Sequence, residues 1–269
     1  MSYGYCANLA RAFFPSSYRH IYMAIFNAYF DASGAQDKRG LSVAGFVSKP
    51  AKWDSFQRQW LRSLPKGMDM FHMTDFVSSL NGWEEWRGKS KERAILISDL
   101  VQIIKQNTSS GFAVTIMKRH YDEANKEFML LEEHGPPYIM CGIAALSQLK
   151  NWAQREKVGL DQILCIFEEG EADWAALEKI AKADGFDVDD RSKKRIRAFD
   201  ACDLAAWRAR IILDDTYTHS SVLGRAKDGE KVMRALAELE SIVHDNGMIR
   251  TRGLKRICGE LGISRRNSP

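Results

Sequence analysis

One stretch limits the fold more than any other: Gln162-Ile163-Leu164-Cys165-Ile166-Phe167, an apolar run that stops abruptly at Glu168-Glu169-Gly170-Glu171. The run is short, rich in β-formers and apolar at both alternating sets of positions. It therefore predicts a strand covered on both faces, as in the buried sheets of α/β proteins.

The rest of the chain supplies what such a strand needs. Residues 24–31 (AIFNAYFD) and 41–47 (LSVAGFV) read as strands, and Gly34, Asp37 and Gly40 between them predict a β-hairpin. Pro50 leads into a helix carrying Trp53, Phe56, Trp60 and Leu64 at helical spacing. The segment 68–76 (MDMFHMTDF) is ambiguous. Ser90–Gln106 predicts an amphipathic helix with Ala94, Ile97, Val101 and Ile104 on one face, and residues 111–117 a third strand. Helices are expected at 119–131 and 138–157, separated by Gly135-Pro136-Pro137, then at 172–183, 200–213 and 227–245, with a short strand at 195–199. Early hairpin strands followed by strands alternating with helices predict an α/β mixed sheet flanked by helices, with helical insertions and a C-terminal helical extension.

No long Gly/Ser linker divides the chain, so one domain is expected over 23–246. Residues 1–22, which hold Arg11, Arg19 and His20 but no acid, read as an extension. Residues 247–269 read as a basic tail or small helix. No apolar run approaches ~20 residues, the length that spans a bilayer. The five cysteines include no CxxC pair, which disfavours a disulfide framework and points to a reducing, cytoplasmic setting.

The net charge of +4 is mild, but its distribution is not even. Between Arg191 and Arg210 lie seven basic residues (Arg191, Lys193, Lys194, Arg195, Arg197, Arg208, Arg210) against two acids. Such a patch can attract a polyanion, while the bland alternative is a solvated loop. Three acids stand where chemistry is often staged. Asp31 closes the first strand, Glu168 closes the apolar strand with Glu169 beside it, and Asp203 shares a helix face with Asp200. Each acid alone could be a turn or cap residue. Gathered together, they would need a cation, and Mg²⁺ or Mn²⁺ prefers oxygen ligands.

Four blocks in order carry a resemblance: Tyr29-Phe30-Asp31-Ala32-Ser33-Gly34, Phe71-His72-Met73-Thr74-Asp75-Phe76, Ile166-Phe167-Glu168-Glu169-Gly170 and Asp200-Ala201-Cys202-Asp203-Leu204-Ala205-Ala206-Trp207. They resemble the signature blocks of domain-of-unknown-function family 3800 over roughly residues 24–215. The resemblance implies an RNase H-like fold and a nuclease activity, in a family often found among phage and defence genes. It assigns the catalytic acids to Asp31, Glu168 and Asp203, with Glu169 as rival to Glu168. The chain departs from the family where Ala32 stands in place of a common glutamate and Asp200 in place of a glutamine.

The expected function is hydrolysis of DNA or RNA phosphodiesters with one or two Mg²⁺ or Mn²⁺ ions. Asp31, Glu168, Asp203, Asp200 and Glu169 are the candidate ligands, and His72 is a candidate for water positioning or proton transfer. Lys193, Lys194, Arg195, Arg197 and Arg208 are the candidate nucleic-acid contacts. A catalytically inactive binder or sensor is the alternative that Ala32 favours. A carboxylate-pair glycosidase is a third, which gives the basic loop no role. No membrane partner is expected, and a homodimer or partner protein is left open.

Overall fold

The computed structural model describes residues 25–34, 39–213, 226–241, 243–260 and 262–266. The expected 1–22 extension and the tip of the hairpin lie outside them. The strands are β1 (Phe26–Ser33), β2 (Gly40–Ser48), β3 (Ser110–Met117), β4 (Ile163–Glu168), β5 (Asp187–Arg191) and β6 (Val243–Met248). They form one sheet in the order β5-β4-β1-β2-β3-β6. β1, β2 and β3 make an antiparallel meander; β4 runs parallel to β1, β5 to β4 and β6 to β3.

Ten α-helices surround this sheet among the described residues: α1 (Pro50–Ser63), α2 (Met73–Ser78), α3 (Ser90–Asn107), α4 (Lys118–Glu127), α5 (Leu130–His134), α6 (Pro137–Glu156), α7 (Trp174–Ala183), α8 (Ala198–Leu213), α9 (Ala226–Ala237) and α10 (Thr251–Glu260). The mixed sheet with helices on both faces is the expected α/β architecture of RNase H-like type.

Two apolar cores flank the sheet, and strand alternation sorts residues between them. Tyr29, Phe46, Leu164 and Ile166 face α1, α3, α8 and α9. Phe30, Val43, Cys165 and Phe167 face α4, α6, α7 and α10. Trp53, Phe56 and Trp60 form the expected stripe on α1, and Trp53 donates its indole N–H to Asn27 O. Trp83 and Trp86 belong to the same body: Trp83 meets the rings of Phe71, Phe76 and Trp86 edge-on.

Several boundaries differ from expectation. No strand lies at 195–199. Lys193–Arg195 is a 3₁₀ turn and α8 begins at Ala198, while the fifth strand is the acidic Asp187–Arg191. That strand sits at the sheet edge with only Val188 buried, so it lacks the apolar pattern that marks a central strand. The helix expected over 227–245 ends earlier, and Val243–Met248 pairs with β3 instead. Helix 119–131 is broken at Phe128, which bridges to Arg265. β6 crosses the expected domain boundary at 246, and α10 buries Leu254 and Cys258 in the second core. The ambiguous 68–76 segment resolves into an extended stretch followed by α2. No helix among the described residues is long and apolar enough to cross a membrane.

Candidate functional site

Alternation along β1 and β4 decides where the acids point. Tyr29 faces α8, so Asp31, two residues on, projects from the same side of the sheet. Leu164 and Ile166 face α8 as well, and Glu168 continues that series at the end of β4. The last registered pair between the strands is Phe30 with Phe167, so Asp31 and Glu168 follow it side by side.

α8 brings the third acid. Its residues Ala201, Cys202, Ala205 and Ala206 are all buried. These small side chains let the helix lie against the sheet, where Cys202 Sγ donates to Tyr29 O at 3.2 Å. Asp203, the next residue, is 3% exposed and comes down beside Asp31, which is 5% exposed. Met73 N–H donates to Asp203 Oδ2 at 2.7 Å, and Ala32 N–H to Asp31 Oδ1 at 2.7 Å.

A lysine closes the cluster. Lys193 Nζ lies 2.8 Å from Asp31 Oδ2 and 3.5 Å from Glu168 Oε2, with its side chain only 11% exposed. Burial opposes its charge, but Asp203, Asp31 and Glu168 outweigh burial and hold the ammonium above the ordinary lysine value. Burial pushes the Asp31 carboxyl up to about 7; Lys193 opposes this and the neighbouring Glu168 adds to it. Asp203 is raised by burial and by Asp31, against the pull of Lys193. The arrangement is a carboxylate pocket with a cation already inside it. Among the described residues, no three carboxylate, imidazole or thiol groups form a ready-made metal cage.

The other candidate ligands have different surroundings. Asp200, expected as a metal ligand, gives its Oδ2 to three protein donors: Trp60 Nε1 at 3.0 Å, Phe71 N–H at 2.9 Å and the Arg197 guanidinium at 3.3 Å. It ties α8 to the extended segment that leads into α2. Phe71 and Met73 thus present alternate backbone N–H groups to two acids one helical turn apart, Asp200 and Asp203. Glu169 is exposed and lines a small cleft with Ala32, Glu171 and Tyr138, a cleft that Asp31 and Glu168 also reach. His72 stands at the rim: Nδ1 is 3.2 Å from Asp75 Oδ2 and Nε2 is 3.8 Å from Asp203 Oδ1.

The basic loop divides by depth. Lys194 and Arg195 are exposed. Arg197, expected to touch nucleic acid, is 2% exposed and donates to Asp69 O, Lys193 O and Asp200 Oδ2. It is a brace, since a guanidinium sealed in this way offers no surface to a phosphate. Arg208 is half-buried on α8. Lys193, grouped with the surface bases in sequence, belongs to the acid pocket. Nothing in its spacing separates it from Lys194; it follows the end of β5 at Arg191, its carbonyl is held by Arg197 and its ammonium by Asp31.

No protein-family model matches the chain, and no curated protein matches it in sequence.

Proposed function

We propose that this chain is a divalent-metal-dependent phosphodiesterase acting on DNA or RNA. One observation supports the reading above all: Asp31 and Asp203, both buried, and Glu168 gather around the largely enclosed ammonium of Lys193. Carboxylates with so little solvent stay ionised together only with positive charge among them. Oxygen donors alone are the chemistry that hard cations such as Mg²⁺ and Mn²⁺ take, so the residues fit the group.

Asp31, Glu168 and Asp203 would hold the ion, which when bound would supply an activated water and neutralise charge on the phosphate. The protein's own residues do the rest. The Met73 N–H fixes one oxygen of Asp203, which orients the other. His72 Nε2, 3.8 Å from Asp203 Oδ1 and partly exposed, can take or give a proton at the mouth of the site. Lys194 and Arg195, exposed on the loop that bears Lys193, would meet phosphates without reading bases. The resemblance to family 3800 adds a setting, phage or anti-phage biology, to the same proposal.

A second reading rests on Lys193 itself. A lysine in the cation position, with Ala32 contributing no carboxylate, suits a protein that binds nucleic acid without cutting it.

The deciding measurement is cleavage of single- and double-stranded DNA and RNA in Mn²⁺ by the wild type, Asp31→Asn and Asp203→Asn. Metal-dependent cleavage is expected in the wild type and its loss in both variants, with unchanged circular dichroism. Equal cleavage by all three would refute the assignment. Salt-sensitive binding without turnover would favour the second reading.

A further inference from the structure

We propose that Lys193 is a permanent member of the carboxylate pocket and does the work of a second cation, so that the site takes one divalent ion rather than two. This rests on the metal-dependent reading above and specifies how that site is built.

The first argument is anchorage. A surface lysine owes little to its backbone, but Lys193 is tied down at both ends. Its carbonyl oxygen accepts from Arg197 Nη2 at 2.6 Å and from the Ile196 N–H at 3.3 Å. Arg197 is itself fixed by Asp69 O and Asp200 Oδ2 inside the core. At the other end the ammonium spans two acids, donating to Asp31 at 2.8 Å and lying 3.5 Å from Glu168. Swinging it out would leave Asp31 buried beside Glu168 and Asp203 with no counter-charge.

The second argument is charge. With a metal bound, the ligand carboxylates of Asp31, Glu168 and Asp203 are deprotonated and bring three negative charges, and the Lys193 ammonium, bonded to Asp31 and 3.5 Å from Glu168, brings one positive charge. Two negative charges remain, which one divalent ion neutralises. A second would leave net positive charge in a buried pocket, where the cost of unpaired charge is high. The third argument is space. Mg²⁺ sits ~2.0–2.1 Å from its oxygens, and an ammonium hydrogen-bonded to Asp31 Oδ2 already occupies that side of the carboxylate. Residue 32, the next position on β1, is alanine and brings no further carboxylate.

The experiment is a calorimetric titration of Mn²⁺ into the full-length wild type, Lys193→Met and Lys193→Arg, with circular dichroism as the fold check. One ion is expected on the wild type and on Lys193→Arg. Lys193→Met is expected to take two ions, or to bind the first about tenfold more tightly, a difference of about 1.4 kcal/mol. Two ions on the wild type would overturn the inference whether or not the variants fold. So would a Lys193→Met protein that folds and titrates like the wild type, although the metal-dependent reading would survive. No binding to the wild type would defeat that reading itself, and the inference with it.

Discussion

At the scale of single residues, the site is an exercise in sealing charge. Asp200 makes the point outside the pocket. Burial pushes its carboxyl up to about 7, while Arg197 and the Phe71 N–H hold it down in part. A folded-state value above the ordinary 3.8 means that the native protein binds more protons than the unfolded chain between those limits. The stability this gives is full below about pH 4 and is lost as pH rises through about 7. Arg197→Met removes the charged partner and should cost roughly 3–5 kcal/mol at pH 8, where Asp200 must stay ionised or take up a proton. At pH 5 the carboxyl is protonated and the cost should be smaller. Urea denaturation at the two pH values measures the difference; equal losses would show that Asp200 does not titrate as its burial implies.

The next scale is the element. Asp31 depends on how closely β1 and β2 run together, and Gly45 sets that approach. It pairs with Phe30, and an added Cβ would lie 2.2 Å from the Phe30 ring and 2.6 Å from Tyr29 O. The Phe30 ring cannot retreat freely, because it stacks on Phe167 with centroids 4.8 Å apart. Gly45→Ala should therefore destabilise by about 1–3 kcal/mol through overpacking. It should also weaken Mn²⁺ binding, since the strand ends that carry Asp31 and Glu168 must shift. Thermal unfolding and metal titration of the same variant test both effects. An unchanged melting temperature would mean that the strands yield more easily than this packing allows.

Over the whole molecule, the far edge of the sheet completes the structure. β6 covers the edge of β3, and α10 packs on α4, placing Leu254 and Cys258 in the second core. Lys255 and Arg265 pair with Glu127, and Arg266 with Glu132, across that junction. A chain ended after Ser241 would expose both the strand edge and the apolar face beneath α10. It should melt at lower temperature and self-associate, because an uncovered edge is a template for pairing. Calorimetry and size-exclusion chromatography read these outcomes. A truncated chain as stable and monomeric as the parent would make β6 and α10 accessory.

Much of this was written in local sequence. Apolar continuity in Ile163–Phe167 fixed a doubly covered strand, the Gly34–Gly40 spacing a hairpin, and the aromatic stripe of α1 a buried helix, because each pattern reflects which faces must leave water. The strand-end acids could be picked out for the same reason, as charges at the ends of buried runs. What sequence could not decide was depth. β5 is charged and short, so only its pairing with β4 identifies it. Lys193, Lys194 and Arg197 look alike in the chain, yet one enters the acid pocket, one meets solvent and one braces the core. Charge is a property of the residue, but the energy of a charge depends on its neighbours and on excluded water, and some of those neighbours, Asp31 for Lys193 and Asp69 for Arg197, come from segments more than a hundred residues away.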